Sequence, residues 1–154
     1  MTIRVINTDK NNPDFVALVS LFDELLVDTY GADVMADFHP LNALDDIIHT
    51  VVVGCDNEPS ACGGIKPFDD DTVEIKRIFV KPAFRRLGLG ARVIQRLEEL
   101  AVSGGFSRAV LETATDMAAA QALYLQCGYT RIKNYGPYEN NPLSVCFEKH
   151  LTVM

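Results

Sequence analysis

Basic residues are missing from a long N-terminal part of the sequence, since no lysine or arginine lies between Lys10 and Lys66. The acidic residues of that interval are Asp14, Asp23, Glu24, Asp28, Asp33, Asp37, Asp45, Asp46, Asp56 and Glu58. The formal net charge of the 154-residue chain is -7 at pH 7. Because nucleic acids repel a negatively charged surface, this balance argues against nonspecific nucleic-acid binding as the main function.

Long apolar runs and metal-ligand spacings are also missing. No apolar run approaches the roughly 20 residues of a membrane helix, and the N-terminal segment MTIRVINTDK lacks the apolar centre of a signal peptide. We therefore expect a soluble, cytoplasmic protein with no membrane partner. The cysteines (Cys55, Cys62, Cys127 and Cys146) and the histidines are scattered, so reduced thiols and no bound metal are expected.

The apolar pattern predicts a single α+β domain over residues 1–154. A strand at 3–6 is followed by a helix that starts at Asn12-Pro13-Asp14 and ends at Gly31, and by a second helix within 36–48. Three strands, within 50–53, 61–65 and 72–80, form an antiparallel meander. The remaining elements are a helix from Gly90, a strand at 108–112, a helix at 116–126 and strands at 129–133 and 143–147.

A basic, glycine-containing loop, KPAFRRLGLG, lies between the strand at 72–80 and the helix that follows. Unpaired N–H groups and the helix dipole make such a junction an anion site, and Arg85 and Arg86 add charge. The alternative is a solvated basic turn. A P-loop would require Gly-Lys-Ser/Thr, and a dinucleotide fingerprint would require a third glycine at Val93; the sequence has neither.

The loop and its surroundings resemble the GNAT family (Gcn5-related N-acetyltransferases). The similar motifs are Arg85-x-x-Gly88-x-Gly90, the strand Glu74-Ile-Lys-Arg-Ile-Phe-Val80, and Ala120-x-x-Leu-Tyr124-x-x-x-Gly128-Tyr129. The resemblance implies a mixed, mostly antiparallel sheet, splayed between strands 4 and 5, with helices on both faces. It also implies acceptor-side helices at about 12–48 and an acyl-CoA-binding core at about 51–151.

Cofactor contacts are carried over from the same resemblance. Ile78, Phe79 and Val80 would pair through their backbone with the pantetheine arm of acetyl-CoA. The pyrophosphate would bind to the loop residues Arg85, Arg86, Leu87, Gly88, Leu89, Gly90 and Ala91. Many family members have an asparagine seven residues before the helix tyrosine, and here that residue is Met117, so a cofactor contact credited to the asparagine is in doubt.

Acetyl transfer to an amine requires a neutral amine and a proton for the departing thiolate. A lysine-like amine is neutral in only about one molecule in 2,500 at pH 7, so a base is useful. Glu74 is the candidate base, acting through a water; the alternatives are ordered water alone, and a strand carboxylate paired with Lys76 or Arg77. Tyr124 is the candidate acid, and its alternative role is that of a core aromatic residue.

The acceptor is expected to be a primary amine of a small cationic molecule or a peptide. Asp23, Glu24 and Asp28 lie in the first helix, which walls the acceptor pocket in this family, and their carboxylates would attract a cation. The amine would attack directly in a ternary complex. A noncatalytic acyl-CoA-binding regulatory domain is the alternative function, and a homodimer is possible.

Overall fold

Seven strands form one sheet in the computed structural model, which describes residues 1–152. The strands are β1 (Ile3–Thr8), β2 (His49–Cys55), β3 (Glu58–Pro67), β4 (Thr72–Val80), β5 (Arg108–Ala114), β6 (Thr130–Ile132) and β7 (Ser144–His150). Their order in the sheet is β1-β2-β3-β4-β5-β7-β6. β4 and β5 pair in parallel, while the other neighbouring strands pair antiparallel. The predicted mixed, mostly antiparallel sheet is therefore confirmed.

Helices cover both faces of this sheet. They are α1 (Pro13–Tyr30), α2 (Ala32–Phe38), α3 (Leu89–Ser103) and α4 (Ala118–Gln126), with short 3₁₀ helices at His39–Asn42, Pro82–Phe84 and Gly136–Tyr138. α1 packs its residues Phe15, Leu18 and Val19 on one face, here called the front. α3 and α4 pack on the opposite face, the back, in the larger core cluster. No helix within residues 1–152 is both long enough and apolar enough to cross a membrane.

The start of α1 follows the sequence prediction, but the second helix does not. The Asn12 side chain accepts hydrogen bonds from the backbone N–H groups of Asp14 (2.9 Å) and Phe15 (3.2 Å), which satisfies two unpaired helix donors. The prediction of a second helix within 36–48 was wrong, because α2 begins at Ala32, directly after Gly31. Gly31 ends α1 and also precedes α2, so no loop separates the two helices.

β4 and β5 pair over a short distance and then separate. Their paired residues are Thr72 with Arg108, Val73 with Ala109, and Glu74 with Val110. From Ile75 to Val80, β4 has no partner in β5, although it continues to pair with β3. The predicted splay between strands 4 and 5 is thus present, and we call the point where the strands part the fork.

A β-bulge in β4 lies just beyond the fork. Cys62 pairs with Phe79 and Gly64 with Lys76, so Gly63 opposes both Arg77 and Ile78. Arg77 has a φ of 61°, the left-handed conformation that accommodates an extra residue. As a result, Ile78 packs on the back with α3, whereas Phe79 packs on the front with α1.

Gly63 leaves room for the side chains of α3 at this bulge. A Cβ atom at Gly63 would clash first with Ile78 Cδ1 of β4, and it would lie 2.8 Å from Val93 Cγ1 and 3.1 Å from Leu97 Cδ1 of α3. We expect Gly63→Ala to lower the free energy of unfolding by about 1–3 kcal/mol, the usual penalty for an overpacked core. Urea unfolding measures this change.

Gly54→Ala is the matched control. Beyond its chain neighbours, the atom nearest to a Cβ at Gly54 would be the carbonyl oxygen of Glu58, at 3.5 Å, which is an ordinary contact distance. It should leave the unfolding midpoint nearly unchanged. Equal destabilisation by the two substitutions would contradict the proposed packing role of Gly63.

Candidate active site

A cavity of about 380 Å³ runs through the gap beyond the fork. Its front wall is formed by α1 and α2, and its back wall includes Ala120 and Tyr124 of α4. Between the walls lie the β4 residues 75–78 and the β5 residues Glu112 to Ala114. A molecule bound on the front and one bound on the back could therefore meet in the gap.

Tyr124, the predicted acid, lies on the back side of this cavity. Its ring packs among Tyr129 and Phe147, and its hydroxyl forms no hydrogen bond within residues 1–152. Burial raises the pKa of Tyr124, and the nearby Glu112 raises it further. The phenol therefore keeps its proton at neutral pH, as a proton donor must.

Glu112 lies on the front side of the same gap. Its Oε2 accepts a hydrogen bond of 2.5 Å from the Ser144 hydroxyl. Burial raises the pKa of Glu112, while Ser144 and Lys76 act in the opposite direction. A carboxylate with a raised pKa is a stronger base than an exposed one, because it holds a proton more tightly.

Lys76 lies two residues beyond the last paired position of β4, as Glu112 does on β5. Its Nζ donates a hydrogen bond of 3.0 Å to the Tyr138 hydroxyl. Burial lowers the pKa of Lys76, and Glu74 and Glu112 partly oppose this shift. The fork thus holds a cluster of two carboxylates, the buried Glu74 and the half-buried Glu112, and one buried amine, Lys76.

Glu74, the predicted base, does not line the cavity. It is 4% exposed, and its Oε2 accepts a hydrogen bond of 2.5 Å from the Tyr135 hydroxyl. Its Oε1 lies 3.8 Å from Lys66 Nζ, so its ion pair is with Lys66. The catalytic role of Glu74 stays a prediction.

The acidic residues predicted to bind the acceptor do not line the cavity either. α1 presents Phe22, Leu26 and Tyr30 to it, and Asp23, Glu24 and Asp28 are absent from its walls. Asp23 pairs instead with Arg77, at 2.5 Å between Oδ1 and Nη2. The acids that do line the cavity are Glu112 and Asp116, and Asp116 accepts a hydrogen bond of 2.6 Å from Tyr30.

The predicted phosphate loop has the geometry of an anion site. Among residues 1–152, no hydrogen bond is donated by the backbone N–H groups of residues 86–91. Arg86 and Gly88 both have positive φ values, 67° and 77°, a backbone form that turns successive N–H groups toward one point. The loop side chains from Arg85 to Leu87 are exposed. This arrangement fits a pyrophosphate.

The predicted pantetheine contacts lie along the separated part of β4. β5 offers no pairing partner to Ile78, Phe79 or Val80, although the Val80 carbonyl accepts a hydrogen bond of 3.1 Å from Arg85 Nε. Met117 lines the cavity, and its sulfur lies 3.8 Å from the Thr113 hydroxyl. A thioether has no N–H to donate, so the contact credited to asparagine in other members has no equivalent at this residue.

Comparisons with known proteins agree with this geometry. The model of the acetyltransferase (GNAT) family matches residues 15–129. An IAA acetyltransferase of Azospirillum brasilense is 33% identical over 139 residues, which are 88% of this chain and 90% of that protein. The chain belongs to the acetyltransferase (GNAT) family.

Solved structures show the same fold. A Klebsiella pneumoniae protein assigned as an acyl-CoA N-acyltransferase matches with a TM-score of 0.81 and 26% identity, over 98% of this chain and 99% of that one. A GNAT acetyltransferase of Elizabethkingia anophelis, solved with acetyl-CoA bound, matches with a TM-score of 0.71 and 19% identity, over 97% and 98%. The predicted family, GNAT fold and enzyme class are therefore confirmed.

Sequence reasoning missed several cavity residues of this GNAT enzyme. Glu112 had a visible signal, because it is the one acid in the apolar strand segment Ala-Val-Leu-Glu-Thr-Ala. Lys76 had a weaker signal of the same kind, because it is one of three charged residues in β4, whose other residues are apolar apart from Thr72. The bond between Tyr30 and Asp116, by contrast, joins residues 86 positions apart, and no local pattern indicates it.

The loop geometry predicts a selective effect of Gly88→Ala. Alanine at a φ of 77° is strained by about 1–2 kcal/mol, although its Cβ would meet no atom within 4 Å. The loop should shift to relieve this strain. We expect the Kd for acetyl-CoA, measured by isothermal titration calorimetry, to rise about tenfold.

Gly105→Ala is its matched control. Gly105 has a φ of 90° and equally open surroundings, but it lies at the other end of α3. This variant should lose similar stability and bind acetyl-CoA normally. An unchanged Kd for Gly88→Ala would count against the loop as the pyrophosphate site.

Proposed function

We propose that this chain transfers the acetyl group of acetyl-CoA to a primary amine of a small molecule or peptide, by direct attack in a ternary complex. The observation that supports this most strongly is the cavity through the fork, which has Glu112 on the front and Tyr124 on the back. The acceptor amine enters from the front, between α1, α2 and the sheet. The loop at 85–91 and the open edge of β4 hold acetyl-CoA on the back.

In this reaction Glu112 is the base favoured by the geometry. The amine arrives as an ammonium ion, and Glu112 and Asp116 supply negative charge in the cavity, which replaces the predicted contribution of the acids on α1. Glu112 takes the proton that the ammonium must lose. The neutral amine then attacks the thioester carbon, and Tyr124 donates its proton to the sulfur as the carbon–sulfur bond breaks. The nitrogen loses its second proton as the amide forms, and this proton restores the Tyr124 phenol, while Glu112 releases its own proton to solvent.

The first test is release of free thiol from acetyl-CoA with a panel of amines. The panel holds amino acids, aromatic amines, polyamines, aminoglycosides and lysine peptides. Amine-dependent release supports the proposal. Binding of acetyl-CoA without release for any amine would favour the noncatalytic binding domain instead.

Tyr124→Phe should lower kcat while leaving the Kd for acetyl-CoA unchanged. The hydroxyl makes no hydrogen bond within the described residues, so its loss removes only the proton donor. We expect kcat to fall by about 10²–10⁴, the usual contribution of a positioned acid. Steady-state kinetics measures the change in kcat, and isothermal titration calorimetry measures the Kd for acetyl-CoA.

Tyr129→Phe is the control, because the Tyr129 hydroxyl donates a hydrogen bond of 2.8 Å to Glu98, outside the cavity. It should lower stability by about 1 kcal/mol, the worth of a typical hydrogen bond, with kcat little changed. Equal kcat for Tyr124→Phe and the wild type would contradict the acid role.

Glu112 should govern the pH dependence of kcat/KM. Because burial raises its pKa above the ordinary value of 4.5, activity should rise with pH through this raised value, as the carboxylate forms. Glu112→Gln should remove that limb of the profile and lower the rate. If Glu74→Gln removes the limb and Glu112→Gln does not, Glu74 is the base.

The same shift gives a stability prediction with a defined sign. The unfolded chain releases the Glu112 proton near 4.5, whereas the folded chain holds it to higher pH. The free energy of unfolding should therefore fall as pH rises through the folded pKa. Glu112→Gln should show a weaker fall in urea unfolding over that range, and an unchanged fall would refute the shift.

A further inference from the structure

The front wall of the cavity carries no charged residue and is mostly apolar. The residues of α1, α2 and the following 3₁₀ helix that line it are Phe22, Leu26, Tyr30, Val34, Met35, Phe38 and Asn42. A polyamine or aminoglycoside would lay several charges against this wall, and each would lose hydration without gaining a partner. The wall instead fits an acceptor with an apolar body.

Arg77 lies beside this wall with unused hydrogen-bond donors. It is 6% exposed, and its guanidinium carbon lies 5.0 Å from the centre of the Phe22 ring. A single nitrogen, Nη2, donates both of its hydrogen bonds, to the Val19 carbonyl (3.2 Å) and to Asp23 (2.5 Å). Within residues 1–152, Nε is buried and has no hydrogen-bond partner.

An arginine with free donors next to a cavity is suited to bind a carboxylate. The guanidinium presents its N–H groups in a planar fork that matches two carboxylate oxygens. Leaving a buried donor unpaired is unfavourable, and a bound oxygen at Nε would relieve this. Asp23 occupies only Nη2 of Arg77, so the Nε side of the guanidinium is left for a ligand oxygen.

Besides Arg77 and Lys76, the charged residues that line the cavity are acidic and lie on its β5 side. Glu112 and Asp116 belong to β5 and to the segment after it, across the gap from Arg77. The cavity thus offers carboxylates on its β5 side, the guanidinium of Arg77 on its β4 side, and a mostly apolar wall. These three features correspond to the ammonium group, the carboxylate and the side chain of a free amino acid.

We propose that the acceptor is a free amino acid with an apolar side chain, whose carboxylate binds at Arg77 while its side chain packs on the wall of α1 and α2. This rests on the proposed function, since it names the acceptor of the same site. Arg77 acts here as a specificity-determining residue. Transfer to the amine gives the N-acetyl amino acid and free coenzyme A, with one proton released.

Matched acceptors test this on the wild-type chain. L-Phenylalanine is compared with phenethylamine, which lacks the carboxylate, and with phenylalaninamide, which lacks its charge; L-leucine is compared with isopentylamine, and spermidine serves as the polycation. The amine of phenylalaninamide is the least basic of the three aromatic acceptors and that of phenethylamine the most basic. A preference for L-phenylalanine over both therefore reports the carboxylate and not the amine pKa.

We expect kcat/KM for the two amino acids to exceed that of their counterparts without a carboxylate by at least about tenfold, the ratio that corresponds to 1.4 kcal/mol. Arg77→Met should remove this preference, because KM should rise for the amino acids and stay unchanged for the counterparts without a carboxylate. Arg108→Met is the matched control, because Arg108 pairs with Glu148 at 2.8 Å and does not line the cavity. It should keep the ratio.

The outcomes separate this inference from the proposed function. If phenethylamine, spermidine or a lysine peptide is acetylated as well as the amino acids or better, the inference is wrong and the acetyltransferase function stands. If acetyl-CoA binds but no acceptor releases thiol, both are wrong. If Arg77→Met does not fold, the kcat/KM ratios of the wild-type chain decide whether the inference holds. Asp23→Asn leaves Arg77 in place, so this variant should keep the preference for the carboxylate.

Discussion

The short pairing of β4 with β5 is the constraint on which the rest of the structure depends. Three residue pairs hold the two halves of the sheet together, and beyond Glu74 the backbone of β4 has a partner only on its β3 side. Unpaired backbone groups inside a protein are unfavourable unless something else satisfies them. An extended ligand arm in the gap can supply those hydrogen bonds, as an added strand would. Under the proposed function, the arm of acetyl-CoA would complete the sheet in this way.

The bulge at Arg77 determines which side chains of β4 face the front of the sheet and which face the back. Before it, Ile75 points to the back; after it, Ile78 and Val80 do. A regular strand, with its period of two, could not place both Ile75 and Ile78 on one face. The bulge also brings Arg77 to the front, under α1. The sequence indicates none of this directly, since an arginine in the left-handed conformation has no local signal.

What the sequence predicts well is local, and what it predicts poorly depends on orientation. The Asn12 cap, the meander and the glycine loop each follow from a few adjacent residues. The prediction that the acids of α1 bind the acceptor depends on how many acids the helix has, and it takes no account of which way their side chains point. Phe15, Leu18 and Phe22 form the stripe that turns toward the sheet, and at 100° per residue Asp23 and Glu24 rotate away from it. Charge content alone cannot show which way a helix turns.

Glu74 does not line the cavity, but it can influence the proposed chemistry through its charge, because it lies in the same cluster at the fork as Glu112. Glu74 forms its ion pair with Lys66, so Lys76 is the cation that balances the carboxylate of Glu112. The negative charge of Glu74 raises the pKa of Glu112, while Lys76 lowers it. Burial is the larger cause of the raised pKa of Glu112, because low-dielectric surroundings favour the neutral carboxyl group that forms when Glu112 takes a proton from the ammonium ion. Glu74 adds to this shift without lining the cavity, and the hydrogen bond from Tyr135 holds its carboxylate in place.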